Sequence, residues 1–167
     1  MSRTHQARWR AAITAVAVAL LAGTATTAQA DDQYGPVRLV NKATGRCLQM
    51  GAQDLAHGAD CTNHDGQRLM LQRYTSPDGG FHTAKILWST GCLTADSLGE
   101  LSEGRCQDGG DKTTWTVDNR TTQFENLQLA NDAYNSACLT DLTSEDNFTL
   151  EECDDTDSTQ RWDVRPF

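Results

Sequence analysis

The stretch CLTDLTSEDNFTLEECDDTDSTQRW, running from Cys138 to Trp162, carries landmarks that recur twice upstream. Cys138-Leu139 opens it, Cys153 follows 15 residues after the first cysteine, and Gln160-Arg161-Trp162 closes it. The same order appears in Cys92-Leu93, Cys106 and Thr113-Thr114-Trp115, and again in Cys47-Leu48, Cys61 and Gln67-Arg68-Leu69. The gaps within the cysteine pairs are 14, 14 and 15 residues, and the first cysteines stand 45 and 46 residues apart. A period of this length marks a repeat architecture, in which one unit cannot bury its own apolar face and neighbouring units share a core.

Inside each unit the pattern reads as short strand, turn, short strand. Val37-Arg38-Leu39-Val40, Lys85-Ile86-Leu87-Trp88 and Asn126-Leu127-Gln128-Leu129 open the three units. Trp115-Thr116-Val117 and Trp162-Asp163-Val164 close two of them, and Asp78-Gly79-Gly80 and Asp108-Gly109-Gly110 carry turn chemistry. No window sustains a helical period, so the chain is all-β. Three copies closing around one axis also remove exposed sheet edges.

The first thirty residues read as a secretory leader. Arg3, Arg8 and Arg10 form a basic start, Ala11 to Gly23 is apolar, and Ala28-Gln29-Ala30 is a small-x-small cleavage site before Asp31. The apolar run is short of the roughly 20 residues that span a bilayer. The whole chain of 167 residues holds 14 Lys and Arg against 23 Asp and Glu, a formal charge of -9. Without the leader the balance is 11 against 23, or -12, which opposes binding to nucleic acid or to an anionic membrane. Six cysteines in an exported chain favour disulfides, and close Cys-x-x-Cys pairs of the kind that hold zinc are missing. The expected organisation is a leader at 1–30, a tail at 31–36 and one domain at 37–167, with repeats at about 37–80, 81–122 and 123–167.

A Cys-Leu start and a second cysteine about 14 residues on, three times over, with a close that is Gln-x-Trp in the third unit and keeps either its glutamine or its tryptophan in the others, resemble the ricin B-type lectin family, and the resemblance covers Val37 to Val164. It implies a β-trefoil of three repeats of about 45 residues. It also implies a bridge within each repeat: Cys47 to Cys61, Cys92 to Cys106 and Cys138 to Cys153. Six cysteines by themselves allow fifteen pairings.

The resemblance further implies one shallow sugar pocket per repeat. Its contacts would be an aspartate two residues after the first cysteine, an aromatic ring two before the second, and an asparagine before the closing glutamine. A sugar offers many hydroxyls and little apolar area, so a charged acceptor and a flat ring are its strongest handles. Here those positions hold Gln49, Thr94 and Thr140; Ala59, Gly104 and Glu151; and Gly66, Lys112 and Thr159. The framework stands while the usual contacts are replaced. Compensating candidates are Asp96, four after Cys92 and so on the strand face of the missing aspartate, and Asp141, three after Cys138, which needs a bulge to point the same way. In the first repeat Gln49, with Asp54 and His57 in the loop that follows, is the candidate polar pocket. Each of these also reads as a solvated turn residue. Gln67 and Gln160 match the closing motif and read as ligand contacts or as hydrogen bonds that lock the closing strand.

The run Glu151-Glu152-Cys153-Asp154-Asp155-Thr156-Asp157 reads as a solvated acidic rim, since it lacks the Asp-x-Asp-x-Asp-Gly loop that wraps calcium. His57, His64 and His82 form no His-Glu-x-x-His, and Gly-x-Ser-x-Gly is missing, so no metal, cofactor or catalytic role is expected. A catalytic partner would be a separate polypeptide. Two functions follow: a secreted, non-catalytic carbohydrate-binding module with degenerate sites, or a trefoil that binds a protein, as an inhibitor or interaction module, through the loops Gln72 to Phe81 and Asp118 to Glu125. Fold alone does not choose between them.

Overall fold

The computed structural model describes residues 33–75, 82–107, 110–118, 124–142 and 147–167. The leader, the run Asp78-Gly79-Gly80 and most of both candidate loops lie outside the described residues. Among the described residues twelve strands form one sheet: β1 (Gln33–Asn41), β2 (Cys47–Met50), β3 (Ala56–Ala59), β4 (Leu69–Thr75), β5 (His82–Leu87) and β6 (Cys92–Ala95), then β7 (Leu101–Gly104), β8 (Trp115–Asp118), β9 (Gln128–Asn131), β10 (Ala137–Asp141), β11 (Phe148–Glu151) and β12 (Trp162–Pro166). The helical elements among the described residues are 3-10 turns of three or four residues. The segment expected as a tail instead contributes Gln33 to Pro36 to β1, where Gln33 and Tyr34 pair with Gln72 and Leu71.

Six strands make the barrel. β1 pairs with β4 and β12, β4 with β5, β5 with β8, and β8 with β9, and the Leu127–Trp162 pairing draws β9 to β12 and closes the ring. The remaining six form three hairpins, β2–β3, β6–β7 and β10–β11. The first two hairpins start at a first cysteine and the third one residue before it, and the hairpins touch through the Leu55–Ser102 and His57–Asn147 pairings. This is a β-trefoil.

The periodic residues fill its core. Leu48, Leu93 and Leu139, each directly after a first cysteine, are fully buried, as are Leu69, Trp115 and Trp162 at the closing positions. Each tryptophan satisfies its indole N–H on the backbone of its own hairpin: Trp115 Nε1 donates to the Leu93 carbonyl at 3.2 Å and Trp162 Nε1 to the Leu139 carbonyl at 3.0 Å. A large apolar side chain with one polar atom is buried at little cost when that atom finds a partner. Among the described residues no helix is long and apolar enough to cross a membrane.

All three cysteine pairs are bridged within their repeats, with Cα–Cα separations of 5.1, 5.0 and 5.0 Å. Each bridge ties the start of a hairpin to the loop that follows its second strand. Replacing Cys138 and Cys153 together with alanine should cost about 3 kcal/mol, the chain-entropy estimate for a loop of this length. Urea denaturation would measure it, and an unchanged midpoint would contradict this role.

Candidate functional site

The residue that organises each hairpin loop is the glutamine of the closing motif. Gln67 is fully buried; its Oε1 accepts from Thr62 N–H at 2.8 Å and its Nε2 donates to the Asp60 carbonyl at 2.7 Å. Gln160, 1% exposed, repeats the arrangement with Asp154 N–H at 2.8 Å and the Glu152 carbonyl at 2.8 Å. These loops carry the second cysteines and have no ladder partner, so the glutamine amide stands in for a strand. The amide therefore clamps the cysteine loop, rather than the closing strand, to the 3-10 turn. In the second repeat Thr113 takes this place and donates to the Gly110 carbonyl of its own turn.

The first repeat adds two links to its clamp. Gln67 Nε2 also donates to Gln49 Oε1 at 2.8 Å, and Gln49 Nε2 lies 3.2 Å from His57 Nε2. Gln49 and His57 are direct cross-strand partners on β2 and β3, which is why a residue two after the first cysteine meets one four before the second. These side chains line a cleft with Met50, His64, Trp88 and Glu103. Trp88 forms part of its wall and anchors it, donating from Nε1 to the Gly66 carbonyl at 2.7 Å. Gly66, where the family would place asparagine, cannot carry a Cβ without striking the Met50 carbonyl oxygen. Of the first-repeat candidates, Gln49 and His57 come together with Gln67 behind them; Asp54 sits exposed in the 3-10 turn Ala52–Asp54, outside the cleft lining.

The third repeat has a second cleft in the equivalent place, between β10 and the acidic run. Glu151 occupies the ring position and is exposed. Asp154 accepts from the backbone N–H and the hydroxyl of Thr156, both at 2.7 Å, and these bonds hold its carboxyl below the usual carboxylate range. Arg161 pairs with Asp155 at 3.2 Å. Among the described residues no group of three or more His, Cys, Asp or Glu side chains is placed to hold a metal ion.

Asp141 does not follow the expected geometry. β10 and β11 stay in register from Cys138–Glu151 through Asp141–Phe148, so the expected bulge is missing, although Asp141 still borders the third-repeat cleft. Its carboxylate is fully buried, accepts from the Thr44 hydroxyl and pairs with Arg46, whose Nε lies 3.3 Å away. Nor does Asp96 share a strand face with the missing aspartate, because β6 ends at Ala95. Its carboxylate accepts from Leu98 N–H at 2.8 Å and Glu100 N–H at 2.9 Å, closing the turn between β6 and β7.

Sequence reasoning missed His64, Trp88 and Glu103 as cleft residues. His64 had a signal: it stands three before Gln67 as Asp157 stands three before Gln160, and both side chains accept from a backbone N–H of the turn that follows. Trp88 and Glu103 had none, since they reach the first repeat's cleft from the second repeat.

A three-repeat barrel with a cleft between a hairpin and its closing turn defines a lectin-type trefoil. The family model described as "Ricin-type beta-trefoil lectin domain" matches residues 35–164, and the chain belongs to that family, a carbohydrate-binding and generally non-catalytic class of domain. A comparison with curated proteins finds no match. Among solved structures the chain is similar to the designed three-fold symmetric protein ThreeFoil, with a TM-score of 0.61 and 16% identity over 78% of this chain and 98% of that one. It is also similar to a GlcNAcα1-4Gal-releasing endo-β-galactosidase from Clostridium perfringens, with a TM-score of 0.62 and 15% identity over 80% of this chain. The match spans 33% of that enzyme, and at this identity both likenesses concern the fold.

Removing one partner of a buried ion pair leaves the other charge uncompensated. Asp141→Ala should therefore lower stability by about 3 kcal/mol. Asp96→Ala, which frees two exposed turn amides, should cost about 1 kcal/mol. Thermal or urea unfolding of both variants checks this ordering; an Asp141→Ala protein as stable as the parent would refute it.

Proposed function

We propose that this chain is an exported, non-catalytic carbohydrate-binding module whose working site is the first-repeat cleft. The observation that carries the reading is the chain of bonds from Thr62 N–H through Gln67 and Gln49 to His57. It fixes two polar side chains at a cleft that the largely buried Trp88 indole borders from beneath, which suits a ligand with many hydroxyls. The third-repeat cleft offers carboxylates but no ring, and Asp141 is spent on Arg46. Export is supported by three disulfides and no free cysteine, the usage of oxidising compartments. The domain, which takes in β1 from Gln33 rather than starting at 37, carries both clefts, and the reading calls for no metal or cofactor. Neutral oligosaccharides fit the first cleft better than anionic ones, because Asp65 and Glu103 share its lining.

A panel of galactose-, glucose-, xylose- and N-acetylglucosamine-based oligosaccharides and insoluble polymers tests the proposal. One lost hydrogen bond in a weak site is worth about 1.5 kcal/mol, close to tenfold in affinity. His57→Ala and Gln49→Ala should each weaken binding by about that factor, while Glu151→Ala leaves it unchanged. Absence of binding to every glycan at neutral pH would overturn the reading.

A further inference from the structure

We propose that the first-repeat cleft is gated by pH and binds only while His57 and His64 are neutral; the proposal rests on reading that cleft as the sugar site. The argument follows the direction of its hydrogen bonds. Thr62 N–H is a backbone amide and can only donate, so the atom of Gln67 facing it is Oε1. The Asp60 carbonyl can only accept, so the atom facing it is Nε2. Gln67 is thus pinned at both ends and cannot turn its amide over. Its Nε2 also faces Gln49, which must present Oε1 there and Nε2 to His57. An amide nitrogen donates, so His57 Nε2 accepts and the ring carries its proton on Nδ1.

His64 is held in the same sense. Gly66 N–H donates to its Nδ1 at 3.1 Å, leaving the proton on Nε2. Protonation converts each accepting nitrogen into a donor that faces another donor. No amide flip repairs this, because a reversed Gln49 would set its own nitrogen against the fixed nitrogen of Gln67. Arg38, Arg46, Asp54, Asp60, Asp65, Arg68, Glu103 and Glu151 are the charged side chains on the elements around the rings; Arg38 is engaged with the Thr62 carbonyl, and Asp65 and Glu103 line the cleft itself. Those two carboxylates offer a protonated ring another partner and draw it out of the relay. The third repeat is an internal control. Its clamp bonds only backbone groups and Gln128, and its turn is capped by the Asp157 carboxylate, so the gate belongs to the first repeat alone.

Nitrogen-15 NMR of the imidazoles in the intact protein reads the gate without any ligand. At about pH 8 His57 should show the Nδ1–H tautomer and His64 the Nε2–H tautomer, and by about pH 5 the protected side-chain amide signal of Gln49 should be lost. The opposite tautomer at His57, or a Gln49 signal unchanged across this range, would overturn the proposal. For the panel polymer bound most tightly, affinity should fall at least tenfold over the same range. Gln49→Glu combined with His64→Asp should abolish that fall, because a carboxylate accepts from both Gln67 and a protonated His57. Equal pH dependence in the parent and the double variant would also overturn it. If no polymer binds at any pH, the sugar-site reading fails while the tautomer measurement still decides the gate.

Discussion

Gln67 and Gln160 each bury one amide that accepts from a backbone N–H and donates to a backbone carbonyl of the loop carrying the second cysteine. The loop residues are exposed, but their peptide groups that face the buried glutamine are shielded from water on that side, and one left unpaired there would cost up to about 1–3 kcal/mol. The glutamine removes that cost, and the disulfide holds the same loop to the start of its hairpin. The cleft is what remains between hairpin, loop and closing turn once these two ties are made. Its position is therefore a consequence of backbone satisfaction, and its chemistry is free to vary with the side chains that line it.

Most of this framework was legible in the sequence. Cysteine spacing, the leucine after each first cysteine and the closing Gln-x-Trp report local events within one repeat, and local events leave a periodic trace. The strand at Gln33 to Pro36 left none, because its partners Leu71 and Gln72 lie in β4 and its own residues are exposed. The candidate site was legible only in part. Gln49 and His57 could be proposed because both belong to one hairpin, whereas the engagement of Asp141 by Arg46, 95 residues away, is a contact between repeats. Strand parity failed for Asp96 for a different reason: alternation holds inside a strand, and β6 had already ended.

The contacts between repeats are also where the internal symmetry breaks. The residue before each first cysteine is Arg46, Gly91 or Ala137, and the residue three after it is Met50, Ala95 or Asp141. Arg46 from the first repeat meets Asp141 from the third, and bonds the Leu142 carbonyl as well. In the other two repeats Gly91 and Ala137 stand where Arg46 does, and neither carries a charge. Gly91 cannot be enlarged, since a Cβ there would crowd the Gly104 carbonyl and Glu103. The periodic positions thus satisfy the backbone alike in the first and third repeats, while the positions between repeats differ in all three. A carboxylate in a strand beside a cleft is consequently weak grounds for a ligand contact in this fold. It must first be shown that no neighbouring repeat has claimed it, and in the third repeat one has.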